Sequence, residues 1–509
     1  MNAPARILLG LAPIAALGLV AAAPGTSSAY IVDQTNDSPS VTPIDCSVCE
    51  SVAGGCTLRA AVETANACNV LPTLDDRIDF DTSAPILLTI PGSGTSSAAT
   101  GDLDVTSPLV VSAPAQQFVM QTAMDRIWDV HAPLTLENIN TQDGMGTDDG
   151  GCLRNDSGSL LTLTNSSFWY CNADNNGGAV YSDGPVIFDG GVVAHSRAGN
   201  NGGGIFVINA DADIFANVIS KNMADNNGGN VFLWESGSNV ITANIAVPEL
   251  SRGYAAAGHG GSLYTTLSQT FIDDTNIERS TAERHGGGIY SGTGMLTIHD
   301  SAIFDNESRS SGGGISKREG DMLLRYAAVY GNDAEHSGGA IELWARNGRW
   351  ANASLENVTI GQNTADYQGG AVLLARDTGI ELHSVTMVDN VAGSYAGGIA
   401  ATSNSYGARI NRVAMSGNAA PVGPDCTGDV EMFPGTESLV SDTSGCNVMG
   451  SGAYLNLPLQ HTTSGFGLSY HAALLPGSPA LDVPGVCLPD DQFHTPRSPT
   501  LCELGAFEQ

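Results

Sequence analysis

The stretch GGGIYSGTGMLTIHDSAIFDNESRSSGGGI, residues 286–315, spans one complete repeat of this chain, from one glycine-rich tetrapeptide to the next. The same pattern, small residues followed by an aliphatic one, occurs ten times between Gly150 and Ile399, about 26 residues apart. A period of this length is typical of stacked supersecondary units, each unable to bury its apolar side alone. The pattern therefore predicts a solenoid rather than a set of separate globular domains.

The last residue of the tetrapeptide is aliphatic in every copy, which predicts a continuous inward ladder. Its members are Leu153, Val180, Ile205, Val231, Leu263, Ile289, Ile315, Ile341, Val372 and Ile399. The segment Met295–Asn306 places Leu296, Ile298 and Ile303 in short runs of alternation, as strands do. Glycine is unusually frequent, at 62 of 509 residues, which favours many tight turns. We predict an all-β fold, a parallel β-helix of ten coils.

An asparagine stands six residues before several of the tetrapeptides. These residues are Asn222, Asn306, Asn332, Asn363 and Asn390. Asparagine tolerates left-handed backbone, so it is predicted to form a sharp corner in each coil. Stacked in parallel, the amides are expected to bond one another along the helix.

Two repeats are longer than the others, with motif spacings of 32 and 31 residues. The extra residues lie near Glu249–Ala257 and Arg346–Ala351. Insertions in solenoids become loops on one face, and often on the binding face.

The two ends of the chain indicate export. Residues 1–29 have the pattern of a signal peptide, with Arg6, an apolar run from Ile7 to Ala23, and small residues before a cleavage point at Tyr30. No later segment approaches the length of a membrane span, so the mature chain is predicted to have no transmembrane segment. Ten cysteines in an exported chain predict disulfides. Cys426–Cys446 and Cys487–Cys502 are favoured as local bridges, whereas the pairing of Cys46, Cys49, Cys56 and Cys68 stays open.

Three parts of the sequence resemble known families. GGAI-type tetrapeptides alternating with segments like Ile303–Asn306 are similar to the repeats of polymorphic outer-membrane proteins. Cys56–Asn66, CTLRAAVETAN, resembles the CSLREA motif of exported β-helix proteins. The last stretch, with SPALD from Ser478 and CELGAFE from Cys502, resembles the choice-of-anchor Q domain. The resemblance implies export and a right-handed β-helix, but little about chemistry.

The predicted organisation follows from these matches: a signal peptide at residues 1–29, an N-terminal cap at 30–75, the β-helix at 76–425 and a C-terminal cap at 426–509. An open β-helix exposes apolar residues and strand edges at its ends. Thr57 is expected to cap a short helix that closes the first coil, with Arg59 and Glu63 paired on its surface. The Cys487–Cys502 segment is expected to plug the other end.

The net charge of −33 excludes nucleic acid as a favoured partner, because such a field repels phosphate backbones. It would also repel uronic-acid polymers unless Ca²⁺ or a local basic groove intervened. Asp273 and Asp274 are adjacent carboxylates that could hold Ca²⁺, but no calcium-loop pattern surrounds them. No cofactor or metal site is therefore predicted.

Positions one period apart lie side by side in a β-helix, so candidate sites are columns of residues. A first column gathers titratable side chains just before the glycine pair: His259, Glu283, Arg284, His285, Arg309, Glu335 and His336. One interpretation is a general acid/base patch in which an arginine neutralises a uronate. The alternative, which we favour, is an exposed ladder of turn residues with alternating charge.

A second column follows the inward ladder by one residue. Tyr181, Phe206, Phe232, Tyr264 and Tyr290 should point outward and form a flat platform for glycan rings, with Trp234, Trp344 and Trp350 nearby. The alternative is that a bulge turns the rings inward or that loops cover them. We therefore expect a secreted or surface-associated protein that binds an extracellular glycan or another cell-surface component. The other hypothesis is a polysaccharide lyase or glycoside hydrolase.

Overall fold

The protein is a parallel β-helix, as the repeat predicts. The computed structural model describes residues 29–68, 76–92, 97–235, 241–346, 348–450, 453–455 and 459–508. A typical coil runs through Leu263–Thr266, Ser268–Asp273, Asn276–Glu278 and Thr281–Ala282, and each strand pairs in parallel with its counterpart in the next coil. Repetition of this coil builds three long faces, called sheets 1, 2 and 3, and a narrow ladder, called sheet 4.

Sheet 1 contains the ten strands that follow the glycine-rich tetrapeptides and two earlier ones, so the described chain has more coils than the ten predicted. Its strands are Leu103–Val105, Trp128–Val130, Leu153–Asn155, Val180–Ser182, Ile205–Ile208, Val231–Trp234, Leu263–Thr266, Ile289–Ser291, Ile315–Lys317, Ile341–Leu343, Val372–Leu374 and Ile399–Ala401. Sheet 4 consists of two-residue strands that precede them: Met145–Gly146, Asn172–Ala173, Arg197–Ala198, Met223–Ala224, Tyr254–Ala255, Thr281–Ala282, Glu307–Ser308, Asp333–Ala334, Thr364–Ala365 and Val391–Ala392.

Sheet 2 follows sheet 1 in each coil: Ala29–Val32, Asp76–Phe80, Leu161–Thr164, Val186–Asp189, Ala212–Phe215, Ile241–Ile245, Ser268–Asp273, Gly294–His299, Gly407–Asn411, Cys426–Met432 and Cys446–Gly450. Sheet 3 comes next: Ile86–Leu88, Ser167–Trp169, Val192–Ala194, Val218–Ser220, Glu249–Ser251, Asn276–Glu278, Ala302–Phe304, Ala414–Ser416, Glu437–Val440 and Ala453–Leu455. Longer strands contribute to both sheets: Leu109–Gln121, Leu134–Gln142, Gly320–Tyr330, Ala351–Gly361 and Thr378–Val388.

The inward ladder forms the core of sheet 1. Val180, Ile205, Val231 and Ile289 are fully buried and pair in register along the helix. The glycines before them allow the coils to approach closely. A Cβ on Gly313 would lie 2.4 Å from two backbone oxygens of the next coil, so a larger residue does not fit there.

The asparagine ladder forms, but its geometry differs from the prediction. The backbone amide of Asn306 donates to Oδ1 of Asn332 at 3.1 Å, and the same pattern continues from Asn332 to Asn363. The left-handed residue is the one before each asparagine, for example Asp305 with φ 54°. The asparagine side chain instead points into the helix, where its amide also satisfies a backbone carbonyl of the preceding coil.

Helix α1, Leu58–Cys68, covers the first coil as a lid. The backbone N–H of Ala60 donates to Oγ1 of Thr57, as the predicted cap requires. The predicted pair of Arg59 with Glu63 is wrong. Arg59 is fully buried and binds both carboxylate oxygens of Asp37, because its side chain points under the lid rather than across its surface. The lid loop is closed by the disulfides Cys46–Cys68 and Cys49–Cys56.

The solenoid boundaries differ from the predicted domains. Ala29–Val32 already pairs in sheet 2, and sheet 3 continues to Ala453–Leu455, beyond the expected end at residue 425. Residues 1–28, nearly all of the predicted signal peptide, lie outside the described part of the chain. Within that part, no helix has the length and apolar character needed to cross a membrane.

The C-terminal segment, residues 459–508, does not plug the end of the helix. It folds back along the outer face of sheet 3, where Tyr470 stacks on Tyr330 with ring centroids 4.0 Å apart. Apolar residues of sheet 3 and of the segment pack together there, so the docking removes apolar surface from water. Small elements hold the segment: the hairpins His461–Ser464 with His471–Leu474 and Val483–Pro484 with Leu501–Cys502, and the turn Gly467–Ser469. Disulfides join Cys426 to Cys446, Cys487 to Cys502, and Cys152 to Cys171.

Candidate functional site

The outward column of sheet 1 contains a stack of five aromatic rings. Tyr181, Phe206, Phe232, Tyr264 and Tyr290 follow one another with centroids 4.6 to 5.3 Å apart and planes within 14° of parallel. Each ring therefore covers the face of the next; Phe206 and Phe232 are buried, and the three tyrosines are partly exposed. The rings stack as expected, because parallel in-register strands bring like rings close together, and glycan binding by this column stays a prediction.

A groove lies where this column ends. It has a volume of about 630 Å³ and is lined by Tyr290 at the last stacked ring and by Trp234 and Trp344 on its sides. Trp234 is 38% exposed. The column continues past Tyr290 with Ser316 and Glu342, which pair in register on the next two coils.

Four arginines line the same groove: Arg284, Arg318, Arg346 and Arg349. The whole chain has only 20 lysines and arginines against 53 acidic residues. Arg318 lies over the ring of Trp344, 4.0 Å from its centroid, and its buried Nε has no hydrogen-bond acceptor among the described residues. Arg349 is paired with Glu319 at 2.8 Å. The groove is thus a local cationic site on a strongly anionic molecule.

His285 and Glu342 meet in this groove. Nδ1 of His285 lies 2.9 Å from Oε2 of Glu342, and the hydroxyl of Ser316 donates to the same oxygen at 2.7 Å. Burial opposes ionisation of Glu342. The hydrogen bonds from His285 and Ser316 and the nearby positive charges outweigh it, so the pKa of Glu342 lies below its ordinary value. Glu342 therefore remains a carboxylate that orients His285.

His259 has a structural role: its side chain accepts a backbone hydrogen bond from the next coil. Its Nδ1 accepts the backbone N–H of His285 at 3.2 Å, as Oδ1 of Asn227 accepts the backbone N–H of His259 itself. Burial, followed by the electrostatic effect of the neighbouring His285, Arg318 and Arg284 side chains, lowers the pKa of His259 to about 3. His259 is thus a neutral continuation of an asparagine ladder at this corner.

Only three of the seven residues of the predicted acid/base cluster lie in the groove. His259, Arg284 and His285 line the groove. Glu283 instead accepts a hydrogen bond from Tyr254 and pairs with Arg309 at 3.4 Å.

Glu335 and His336 are exposed and do not line the groove, and the ring nitrogen of His336 contacts Ser337. Glu335, His336, Glu283 and Arg309 therefore match the alternative interpretation, an exposed ladder of turn residues.

Sequence reasoning missed Arg318, Arg349 and Glu319 as groove residues. It did identify the long spacing at Arg346–Ala351, and that excursion supplies Arg346 and Arg349. The position of Glu342 in the aromatic column was visible, but its partner His285 was assigned to another column. The small Ser316 lies between Tyr290 and Glu342 in the column, and Oε2 of Glu342 contacts both its hydroxyl and His285.

Two further features lie outside this groove. A groove of about 510 Å³ on the outer face of sheet 2 includes Arg409, which is already held by Glu381 and Glu431. Asp273 lies with His299 and Asp300 in a partly exposed cluster, whereas its neighbour Asp274 is not among those grouped carboxylates. The carboxylate of Asp273 is thus grouped with a histidine and with Asp300 rather than with the adjacent Asp274.

No protein-family model, no curated protein and no solved structure matches this chain.

Proposed function

We propose that this is an exported β-helix protein that binds an acidic glycan, a polymer containing uronic acid, in the groove between Trp234 and Trp344. The observation that carries the proposal is the gathering of four arginines in one groove of a chain with net charge −33. A site for a neutral sugar would not require this concentration of positive charge.

The chemistry of the groove suits a carboxylated sugar. Arginine binds carboxylates with two parallel hydrogen bonds, and Arg284 and Arg346 are exposed and able to do so. Trp234 offers a partly exposed indole, a side chain that packs well on the apolar face of a sugar ring. Arg318 also lines the groove and adds a third guanidinium for an anionic oxygen.

Export is part of this proposal. The signal-peptide pattern of residues 1–29 supports it, and so does the pairing of all ten cysteines in five disulfides, which is typical of proteins in oxidising compartments. The resemblance to CSLREA and choice-of-anchor Q sequences points in the same direction.

Calorimetric titration with polygalacturonate, alginate and neutral dextran tests the binding proposal. We expect the two polyuronates to bind, dextran not to bind, and added salt to weaken the affinity. The double variant Arg284→Ser/Arg346→Ser should bind about tenfold more weakly or worse, a loss of roughly 1.4 kcal/mol.

The matched control is Arg197→Ser/Arg309→Ser, which removes the same charge from exposed arginines outside the groove. An equal loss of affinity in this control, or the absence of polyuronate binding in the unchanged protein, would overturn the proposal.

A second candidate function is polysaccharide lyase activity in the same groove. The observation that favours it is the contact of His285 with Glu342, which leaves Nε2 of His285 as the available base. In the elimination, His285 takes the proton at C5 of the uronate, the C4–O bond breaks and a C4–C5 double bond forms. Burial raises the pKa of Tyr290, so its hydroxyl stays protonated and can donate to the leaving oxygen.

Absorbance of unsaturated products distinguishes the two functions. A lyase should form such products from a bound polyuronate, and Glu342→Gln should keep the binding but lose the products. If the unchanged protein binds a polyuronate and releases no unsaturated product, the groove is a binding site only.

A further inference from the structure

A cluster of carboxylates lies at the opposite end of the outward column, close to the lid. Asp104 and Asp129 pair in register on adjacent strands of sheet 1, and Arg154 follows them in the next coil. This cluster lies on different coils from the arginine groove and takes no part in the function proposed above.

Asp104 is buried without the partners that a carboxylate needs. Its side chain is 1% exposed, and both of its carboxylate oxygens have no hydrogen-bond partner among the described residues. Burying a carboxylate in this way is unfavourable unless it takes up a proton or a cation compensates it. The nearest positively charged groups, Arg126 and Arg154, are directed to other aspartates.

His131 is oriented toward the same point. Its Nδ1 lies 3.1 Å from a carboxylate oxygen of Asp156, which makes Nδ1 the donor and leaves Nε2 with a free lone pair. Nε2 lies 3.7 Å from Oδ1 of Asp104 and 3.6 Å from Oδ2 of Asp129. A carboxylate behind the remote nitrogen is the arrangement that orients histidine ligands of metals.

The separations suit ligands around one ion. Candidate ligand atoms of Asp104, Asp129 and His131 all lie within 4.8 Å of one another. Ligands at the zinc distances of roughly 2.0–2.2 Å stand about 3.4 Å apart at the edge of a tetrahedron. Asp129 is held in place by two hydrogen bonds from Arg154, as carboxylate ligands commonly are.

The network around His131 contains more carboxylates than arginines, which favours the binding of a cation. Five carboxylates, those of Asp102, Asp104, Asp129, Asp148 and Asp156, take part in this network. Arg126 and Arg154 offset two of them, so an excess of negative charge remains around His131. A divalent cation between Asp104 and Asp129 would relieve the repulsion of these neighbouring carboxylates.

We propose that Asp104, Asp129 and His131 bind one divalent transition-metal ion of the Zn²⁺ type, which joins two coils beneath the N-terminal lid. The imidazole ligand favours such an ion over Ca²⁺, which prefers oxygen ligands alone.

The test uses the full chain, stripped with a chelator and then titrated with Zn²⁺ or Ca²⁺. We expect Zn²⁺ to remain bound through gel filtration, measured as metal content, and to raise the thermal midpoint. Asp104→Asn should weaken Zn²⁺ binding about tenfold or more. His131→Gln should weaken Zn²⁺ binding to a similar extent. Because His131 is partly exposed, this variant should fold normally, so it tests the site even if the Asp104 variant misfolds.

His299→Gln is the matched control, because His299 lies beside Asp273 and Asp300 with similar exposure. It should leave the retained Zn²⁺ unchanged. Zn²⁺ retention that depends on His299 but not on His131, retention of Ca²⁺ unaffected by His131→Gln, or failure to retain any Zn²⁺ would each overturn the proposal.

Discussion

Nδ1 of His285 lies 2.9 Å from Oε2 of Glu342, although 57 residues separate the two side chains along the sequence. Two coils of the β-helix account for this separation, because each coil advances the chain by only one strand spacing. Glu342 is buried, and a buried carboxylate is stable only when hydrogen bonds replace its contacts with water. It needs His285 and Ser316 as partners.

Replacement of Glu342 should show this dependence. Glu342→Leu leaves the Ser316 hydroxyl and Nδ1 of His285 without their acceptor, and we expect it to lower the free energy of unfolding by about 2 kcal/mol. Glu342→Gln keeps an acceptor oxygen, so it should lower the free energy of unfolding by less than Glu342→Leu does. Urea unfolding measures both, and equal losses for the two variants would contradict this account.

Lys317 should make the stability depend on pH. It is fully buried, its Nζ donates to the carbonyls of Gly292 and Gly294, and burial lowers its pKa to about 7. In the unfolded chain the pKa of Lys317 keeps its ordinary value of 10.5. Between about pH 7 and 10.5 the unfolded chain therefore binds more protons than the folded protein. The free energy of unfolding of the natural chain, relative to Lys317→Met, should therefore rise as pH increases through that range.

Thermal midpoints of the two proteins across this range provide the measurement. A difference that stays constant with pH would show that Lys317 remains charged in the folded protein. Lys317→Arg is a useful comparison, because arginine stays charged throughout and should lack the rise.

The asparagine ladder should contribute strongly to stability. Asn332 is fully buried, accepts from the backbone of Asn306, and donates to the backbone of Ile303 and to Asn363. Asn332→Ala leaves several of these buried groups unpaired, and we expect a loss of about 3 kcal/mol in urea unfolding.

The control lies in a second, exposed row of asparagines. Asn226 donates to Asn200 at 3.0 Å on the surface, where water can replace it. Asn226→Ala should therefore change the free energy of unfolding by less than about 0.5 kcal/mol. A loss at Asn226 as large as that at Asn332 would mean that stacking itself, rather than burial, sets the contribution.

The docking of the C-terminal segment should depend on Tyr330. Its hydroxyl accepts the backbone N–H of Gly467 at 2.7 Å, and its ring stacks on Tyr470. Tyr330→Ala should release the segment locally, so that limited proteolysis cuts within residues 459–508 sooner than in the natural chain. Tyr367→Ala, which changes an exposed ring on another side, should leave the cleavage rate unchanged.

The candidate site could be predicted only in part. The period identified His259, Arg284 and His285 as near neighbours, and the groove contains all three. It also grouped them with Glu335, which lies elsewhere on the surface. The groove is completed by Arg346 and Arg349 from a non-repeating excursion, and the path of that excursion does not follow from the period.

The sequence by itself determined the stacking of the coils, the inward ladder and the buried asparagines. A regular period suffices for these, because parallel strands in register place equivalent residues beside one another. The tertiary structure alone decided that Arg346 lines the same groove as Arg284 and that the C-terminal segment lies along sheet 3. These outcomes depend on the paths of a loop and of a non-repeating segment, which do not follow the period of the chain.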